Sequence, residues 1–382
     1  MASGRRRPPR RHRREAGCRP TASSSAREKP SQEARHAAKD QEPWPEAPSR
    51  AENKCQVRFT GSDPVKFALQ GLTRKGCFTF APLLGDSLRI GFVSHVFWPE
   101  TRRGGERLIR DLSDALVGRG HRPRLVTSHR GWPSRADEDG LEVVRQWRPP
   151  ERPFNRLGFP PGTSQIPLAW WALRRGEDDV LQAWTPAAGV AAAHSGKPSV
   201  LVFQGVLHDD DLRARPRVRE MLMLAARGCD AVVTYGVVAA QEFTRHTGVE
   251  ARAINPGIRL DAFTPGGERA DHPVIFCAAD PDEPRKRVGL LVEAFQHVRE
   301  ARPDAELWLM PAGDRGLRPG VKTVDPGADR EALVELYRSA WVTVLPAFRE
   351  AFGLVAIESL ACGTPVLVGR DGGEAPRLID GV

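Results

Sequence analysis

LRIGFVSHVFWPETRRGGERLIRDLSDALVGRGHRPRLVTSH, residues 88–129, carries a strand, a glycine turn, a helix and a second strand in that order. LRIGFVSHVF is a short apolar, partly branched run, the pattern of a buried strand. WPETRRGG follows as a turn. In ERLIRDLSDALVGRGH, residues Leu108, Ile109, Leu112, Ala115 and Leu116 mark one helical stripe, and Gly118 or Gly120 ends it. RPRLVTSH reads as the next strand, and the whole is a βαβ unit.

The alternation continues outward from it. DVLQAW (179–184) reads as a strand, PAAGVAAAH as a short helix and PSVLVFQGV (198–206) as a strand. VREMLMLAARG is helical, DAVVTYG extended, and a helix through QEFTRH leads to a last strand, ARAINPG. Residues 88–262 are thus expected to form one doubly wound sheet. Residues 263–272 concentrate Pro, Gly and charge, the signature of a linker. The pattern then restarts: PVIFCAA, AELWLMP, VKTVDPG, WVTVLP and TPVLVGR as strands, RVGLLVEAFQHVREARP, REALVELYRSA and AFGLVAIESLACG as helices. The expectation is an α/β protein of two Rossmann-like domains facing across a cleft, 88–262 and 273–382. The second is expected to be incomplete, because the alternation stops at IDGV.

Composition narrows the classes. Of 382 residues, 40% are hydrophobic, which is ordinary for a chain with a packed core and excludes wholesale disorder. No run of 18 apolar residues suggests a spanning helix. Some fifty polar residues precede the first apolar-rich segment, so no secretory leader is expected and the cytoplasm is the expected compartment. Cys18, Cys55, Cys77, Cys229, Cys277 and Cys362 form no C-x-x-C pair and read as isolated thiols. The formal charge of +9 raises nucleic acid or an anionic membrane as partners. Its distribution argues otherwise: residues 1–50 hold 13 Lys+Arg against 6 Asp+Glu, 51–87 hold 5 against 3, and 88–382 hold 39 of each. The imbalance sits in residues 1–87, read as a disordered basic leader. No specific nucleic-acid partner is expected, and peripheral membrane contact stays open.

Two places carry candidate chemistry. Gly104-Gly105 lies directly before a helix, where backbone can approach a phosphate closely, or where the glycines make a plain tight turn. The second is LPAFREAFGLVAIESLACGTPVLVGRDGG. Glu350 ends a loop after a strand, Phe352-Gly353-Leu354 open a helix, and Glu358 lies farther along it. Strand ends in open α/β sheets bind ligands, and helix-start amides suit a diphosphate. A plainer alternative makes Glu350 a helix-start charge and Glu358 a solvated one.

The stretch PAFREAFGLVAIESLACGTPVLVGRDGG resembles the E-x7-E signature of the family 4 retaining glycosyltransferases of GT-B fold. FWPETRRGGERLIRDLSDALVGRGHRPRLVTS is similar to that family's opening loop and helix, INPGIRLDAF (254–263) to its hinge strand, and RKRVGLLVEAF (285–295) to its donor-diphosphate segment. The resemblance implies that Glu350 contacts the donor sugar, beside the amides of Ala351 to Leu354, and that Glu358 holds the nucleotide ribose. Lys286, together with Arg285, would neutralise the departing diphosphate, and Gly104 and Gly105 would admit the donor phosphate and the acceptor. Glu350 and Lys286 are the implied catalytic pair; Arg285, Phe352, Gly353, Leu354, Glu358 and Gln204 are the implied donor-binding set.

The implied partners are a nucleotide-diphosphate sugar as substrate and a glycan, lipid or small-molecule hydroxyl acceptor, with neither a metal nor a cofactor. Three positions depart from the family pattern. Ala279-Asp280 replaces a Gly-Arg pair, Gln204 stands where a donor-contacting His is usual (His208 lies four residues on), and a closing C-terminal helix is missing. A sugar-nucleotide binder without turnover is therefore the alternative reading. Hydrolysis by Glu350 and Glu358 as an acid–base pair, and sugar stacking on Trp147, Trp170 or Trp171, are weaker ones.

Overall fold

The computed structural model of the chain describes residues 87–370, apart from 102, 311–317 and 328. The leader expected over 1–87 lies outside the described residues except for Ser87. So do Cys18, Cys55, Cys77, Asp371-Gly372-Gly373 and the terminal IDGV.

The first sheet holds β1 (Arg89–Val93), β2 (Arg122–His129), β3 (Ser134–Glu138), β4 (Leu141–Trp147), β5 (Val180–Ala183), β6 (Ser199–Phe203), β7 (Ala231–Thr234) and β8 (Ala251–Ala253). Their order is β3-β4-β2-β1-β5-β6-β7-β8, parallel throughout except for the β3–β4 hairpin. The strand order reverses at β1, so the chain winds outward in both directions from the first strand. In β1, Ile90 and Phe92 enter one core with Leu108 and Ile109, while Val93 enters another with Leu181 and Leu173. Burial on both faces explains why the strand reads as a continuous apolar run.

The helices of this half are α1 (Gly104–Val117), α2 (Arg152–Arg156), α3 (Ile166–Arg175), α4 (Pro186–Ala193), α5 (Asp209–Ala214), α6 (Pro216–Gly228) and α7 (Val237–Thr247). Residues 130–178, passed over in the sequence, hold β3, β4, α2 and α3. The strand β3 reads SRADE and is almost wholly exposed at the sheet edge, so it offers no apolar alternation.

The second sheet contains β9 (Val274–Cys277), β10 (Glu306–Leu309), β11 (Val321–Thr323), β12 (Val342–Leu345) and β13 (Val366–Val368), in the order β11-β10-β9-β12-β13 and all parallel. Its helices are α8 (Val288–Ala301), α9 (Arg330–Ser339) and α10 (Leu354–Ala361). Phe263, the first residue of the expected linker, is buried in this second core, its ring 6.2 Å from that of Tyr337. An aromatic side chain at the linker's edge thereby anchors it to the second sheet.

The two halves meet where the loop before α10 enters the first core. Ala351 and Phe352 are buried in one cluster with Phe97, Leu108 and Tyr235, and Leu354 and Ile357 pack against it. The α/β architecture of two parallel-sheet domains is that of the GT-B fold.

Candidate functional site

Glu350, Lys286 and Arg285 come together from positions more than sixty residues apart. Lys286 Nζ donates to Glu350 Oε2 at 2.6 Å, and Arg285 Nη1 reaches the same oxygen at 3.2 Å. The 3-10 turn Pro284–Lys286 presents both cations, and Phe348 N donates to Arg285 O at 2.8 Å, tying the turn to the loop after β12. Burial acts to raise the Glu350 carboxyl, but Lys286 and Arg285 outweigh it and hold the group below its ordinary range. Neither Glu350 nor Lys286 is a solvated charge: their side chains are 15% and 18% exposed.

Two further arginines frame this loop. Arg349 lies 4.0 Å and Arg287 4.6 Å from the centre of the Phe348 ring, within cation–π range. Both have positive φ, 53° and 50°, a conformation that costs a non-glycine residue on the order of 1–3 kcal/mol and concentrates at functional sites. Gly353 follows at φ 86°, directly before Leu354 opens α10. A side chain there would be strained, which is why glycine stands at the turn. No side chain caps the start of α10, and its first amides face the loop end without one.

Glu358, only eight residues from Glu350, lies in a different environment. It is 4% exposed. Its Oε1 receives Arg107 Nη2 at 2.8 Å and its Oε2 the Tyr337 hydroxyl at 2.8 Å. Burial raises its carboxyl above the ordinary range, against the pull of Arg107 and Tyr337, and Asp111 adds to the rise. The solvated alternative for Glu358 therefore fails. Arg107 comes from the first half, on α1. Asp111, one turn on, pairs with Arg330 of α9, and Asp114 pairs with Arg259 at 3.4 Å. Spacings of four and three place Arg107, Asp111 and Asp114 on one face of α1. That stripe of charge was visible in the sequence but carried no sign of its distant partners.

Gly104 and Gly105 begin α1 against this junction. A methyl on Gly104 would stand 3.7 Å from Leu354 Cδ1, and one on Gly105 only 2.7 Å from Gln204 Oε1. Gln204 Nε2 in turn reaches Trp184 O at 3.3 Å. The loop glycines, Gln204 and Leu354 are thus neighbours, with Phe352 in the adjoining apolar cluster rather than facing solvent. The ten site residues divide into an ion cluster at Glu350, a buried network at Glu358 and a close-packed glycine contact.

Other candidates are placed elsewhere. His208 precedes α5 with Asp210 3.7 Å away. Trp147 and Trp171 are about half exposed, Trp171 beneath Arg175 at 4.3 Å, and Trp170 donates to His194 O. With both oxygens of Glu358 engaged, the paired-carboxylate hydrolase loses its second member. Among the described residues, Cys229, Cys277 and Cys362 are free and buried, none of the His, Cys, Asp and Glu side chains gather into a metal-binding group, and no helix is long and apolar enough to cross a membrane.

Residues 102–262 match the family described as Glycosyltransferase Family 4, and residues 266–382 the family described as Glycosyl transferases group 1. The chain is 31% identical over 199 residues to a D-inositol 3-phosphate glycosyltransferase of Nocardiopsis dassonvillei, covering 44% of this chain and 46% of that protein. It is 27% identical over 274 residues to one of Streptomyces scabiei, covering 60% of each. The chain thus spans about half the length of the curated relatives it matches. Among solved structures, sucrose-phosphate synthase from Thermosynechococcus elongatus aligns with a TM-score of 0.60 at 19% identity, over 75% of this chain and 82% of that one. The Anabaena protein HepE, solved with UDP and glucose, aligns at 0.56 and 17% identity, over 76% and 83%. These structures show the GT-B fold, and the two family matches fall one on each half of the chain.

Proposed function

We propose that the chain is a family 4 glycosyltransferase that moves a glycosyl group from a nucleotide-diphosphate donor to a hydroxyl acceptor, with retention of anomeric configuration. The observation that carries this reading is the convergence of Lys286, Arg285 and Glu350 beside the start of α10. In glycosyl transfer the bond from the anomeric carbon to the diphosphate oxygen breaks, and its electron pair leaves with the phosphate. Lys286, Arg285 and the first amides of α10 stabilise that departing charge. The acceptor oxygen bonds to the anomeric carbon on the same face, and its proton passes to the leaving phosphate oxygen.

Glu350 has two tasks in this scheme. Without donor it keeps both cations in place. With donor the cations turn to the diphosphate, and the carboxylate, held ionised, accepts from the sugar hydroxyls. Glu358 keeps acceptor capacity beyond its two donors, so for it to hold a ribose its enclosure must open. Of the two donors, Arg107 lies on the other half of the molecule, so a small opening between the halves frees Oε1.

Nucleotide release over UDP-, GDP- and ADP-sugars, with D-inositol 3-phosphate, myo-inositol and glucose as acceptors, tests the reading. Release should depend on acceptor for at least one pair and fall about a hundredfold in Glu350→Gln. Undiminished release in that variant would remove Glu350 from the site. Calorimetric donor binding without turnover would make the chain a sugar-nucleotide binder instead.

A further inference from the structure

In the first half, Arg107, Arg110, Arg124, Arg145 and Arg148 each pair with a carboxylate. One surface of the same half does the opposite. Residues 152–156 and 213–219, RPFNR and RARPRVR, hold six arginines and no acid. All six are exposed, and among the described residues only Arg213 pairs with a carboxylate, Asp210 at 3.1 Å. Like charges gathered on one surface repel one another and favour an anionic partner.

The two segments touch. Arg217 donates to Leu157 O and lies 5.0 Å from the centre of the Phe159 ring. Phe159 in turn meets Phe154, with ring centres 6.3 Å apart. Arg215 and Arg219 stand two residues to either side of Arg217. A helix ordinarily buries one stripe of its surface, but α2 buries nothing. From Arg152 to Leu157 every residue is exposed, Phe154 at 37% and Leu157 at 54%. Apolar side chains therefore project among the arginines. Exposed Glu220 and Asp211 bound the second segment, and Glu151, before the first, is occupied by Gly162 N at 2.8 Å.

We infer that this patch docks on the surface of an anionic lipid bilayer. Phe154 and Leu157 enter the boundary between headgroups and acyl chains, while Arg152, Arg156 and Arg217 meet lipid phosphates. Surfaces that lie on a bilayer combine these two features, apolar side chains at the tip and cations around them. A single-stranded nucleic acid would need aromatic faces open to its bases. Here Phe154 and Phe159 meet edge to face at 69°, and Arg217 covers Phe159. The inference is independent of the transferase reading. It places membrane contact on the folded body, where acidic and basic residues balance at 39 each over 88–382, and not on residues 1–87.

Two measurements test the inference, and neither involves turnover. First, the full chain is partitioned onto vesicles of phosphatidylcholine, alone or with about 30% phosphatidylglycerol. Binding to the anionic vesicles is expected. Arg152→Gln/Arg156→Gln should weaken it about thirtyfold, the effect of two surface cations. Phe154→Ser/Leu157→Ser should weaken it about tenfold through lost apolar insertion. Absence of binding, or binding that neither pair of substitutions reduces, overturns the inference, the second outcome assigning the contact to residues 1–87. Loss in the arginine pair alone also overturns it, and makes the patch a site for a soluble acidic protein or a nucleic acid.

Second, Phe154→Trp reports depth and keeps the surface apolar. On anionic vesicles whose acyl chains carry bromine, its fluorescence should be quenched more than that of the parent. Leu367→Trp, at an exposed position of β13 in the second half, should show no extra quenching under the same conditions. Extra quenching of Phe154→Trp is the expected result. A bound Phe154→Trp protein quenched no more than the parent would show that the patch stays out of the bilayer, and the inference would be wrong.

Discussion

Glu350 and Glu358 belong to one short motif and have opposite physics. Glu350 ends a loop, shares one oxygen with two cations from a single 3-10 turn, and is held below the usual carboxylate range. Glu358 lies eight residues on, about one turn inside α10, enclosed, with one oxygen on Arg107 and the other on Tyr337, and is pushed above that range. Burial acts upward on both. The outcome is decided by how much positive charge stands beside each and how much solvent it retains. A carboxylate with exchangeable cationic partners can release them to a ligand. One enclosed between two halves of a molecule works first as a clamp, and its release is coupled to their separation.

The comparison breaks most visibly at Arg107. Arg107→Leu leaves Glu358 as a buried charge without its cation, which typically costs about 3–5 kcal/mol. Urea unfolding at neutral pH should show that loss, and Arg107→Leu/Glu358→Gln should regain a good part of it. Because the folded Glu358 carboxyl is raised, its contribution to stability is complete below the unfolded value near 4.3 and is lost as pH rises through the folded value. The Arg107→Leu deficit should therefore shrink toward pH 4 and grow toward pH 7. A deficit below about 1 kcal/mol at pH 7, the range of an exposed pair, would show that Glu358 is no clamp.

Lys286 sharpens the other side. Lys286→Ala should lower the transfer rate by about 10²–10³, the usual cost of removing one preorganised donor from a developing charge, or about 2.7–4 kcal/mol. Its unfolding midpoint should move much less than that of Arg107→Leu, since Arg285 still partners Glu350. Stability and turnover would then separate: Arg107 chiefly on the first, Lys286 on the second. A large loss of stability in Lys286→Ala with turnover retained would reverse the assignment of the two carboxylates.

What was legible beforehand follows the range of the interactions involved. The strands and helices from Leu88 to Val117 and from Val274 to Ala301 announce themselves through local apolar period, and the doubly wound GT-B architecture follows from their order. The hairpin at Ser134–Trp147 does not, because an exposed edge strand such as SRADE has no core face to pattern. At the site, the residue types at Glu350, Gly353 and Lys286 were readable from a resemblance. Their meeting across 64 residues was not, nor was the pairing of Arg107 with Glu358. The first depends on two strand-end loops of one sheet meeting and the second on the two halves packing together, and no local spacing encodes either.

A third carboxylate separates the effect of partners from the effect of burial. Glu306, on β10, accepts from Lys322 at 2.6 Å and from Trp308 at 2.8 Å, with His272 at 3.4 Å. Partial burial acts to raise its carboxyl, but these donors bring it down to about 2. It has more partners than Glu358, yet Lys322 is 59% exposed, so solvent and salt screen the pairing and the stabilisation should be only about 0.2–1 kcal/mol. With a depressed folded value, that contribution is present above the unfolded value near 4.3 and disappears as pH falls toward 2. Glu306→Gln should thus cost under about 1 kcal/mol at pH 7, cost nothing near pH 2, and weaken further in 0.5 M salt. Both deficits grow with pH, but that of Glu306→Gln is complete near the unfolded value of about 4.3 while that of Arg107→Leu still grows toward pH 7, and the two titrations together say whether enclosure, rather than the number of partners, makes Glu358 a clamp. If Glu306→Gln proved as costly as Arg107→Leu, partner count alone would suffice and the distinction drawn between the two motif carboxylates would fail.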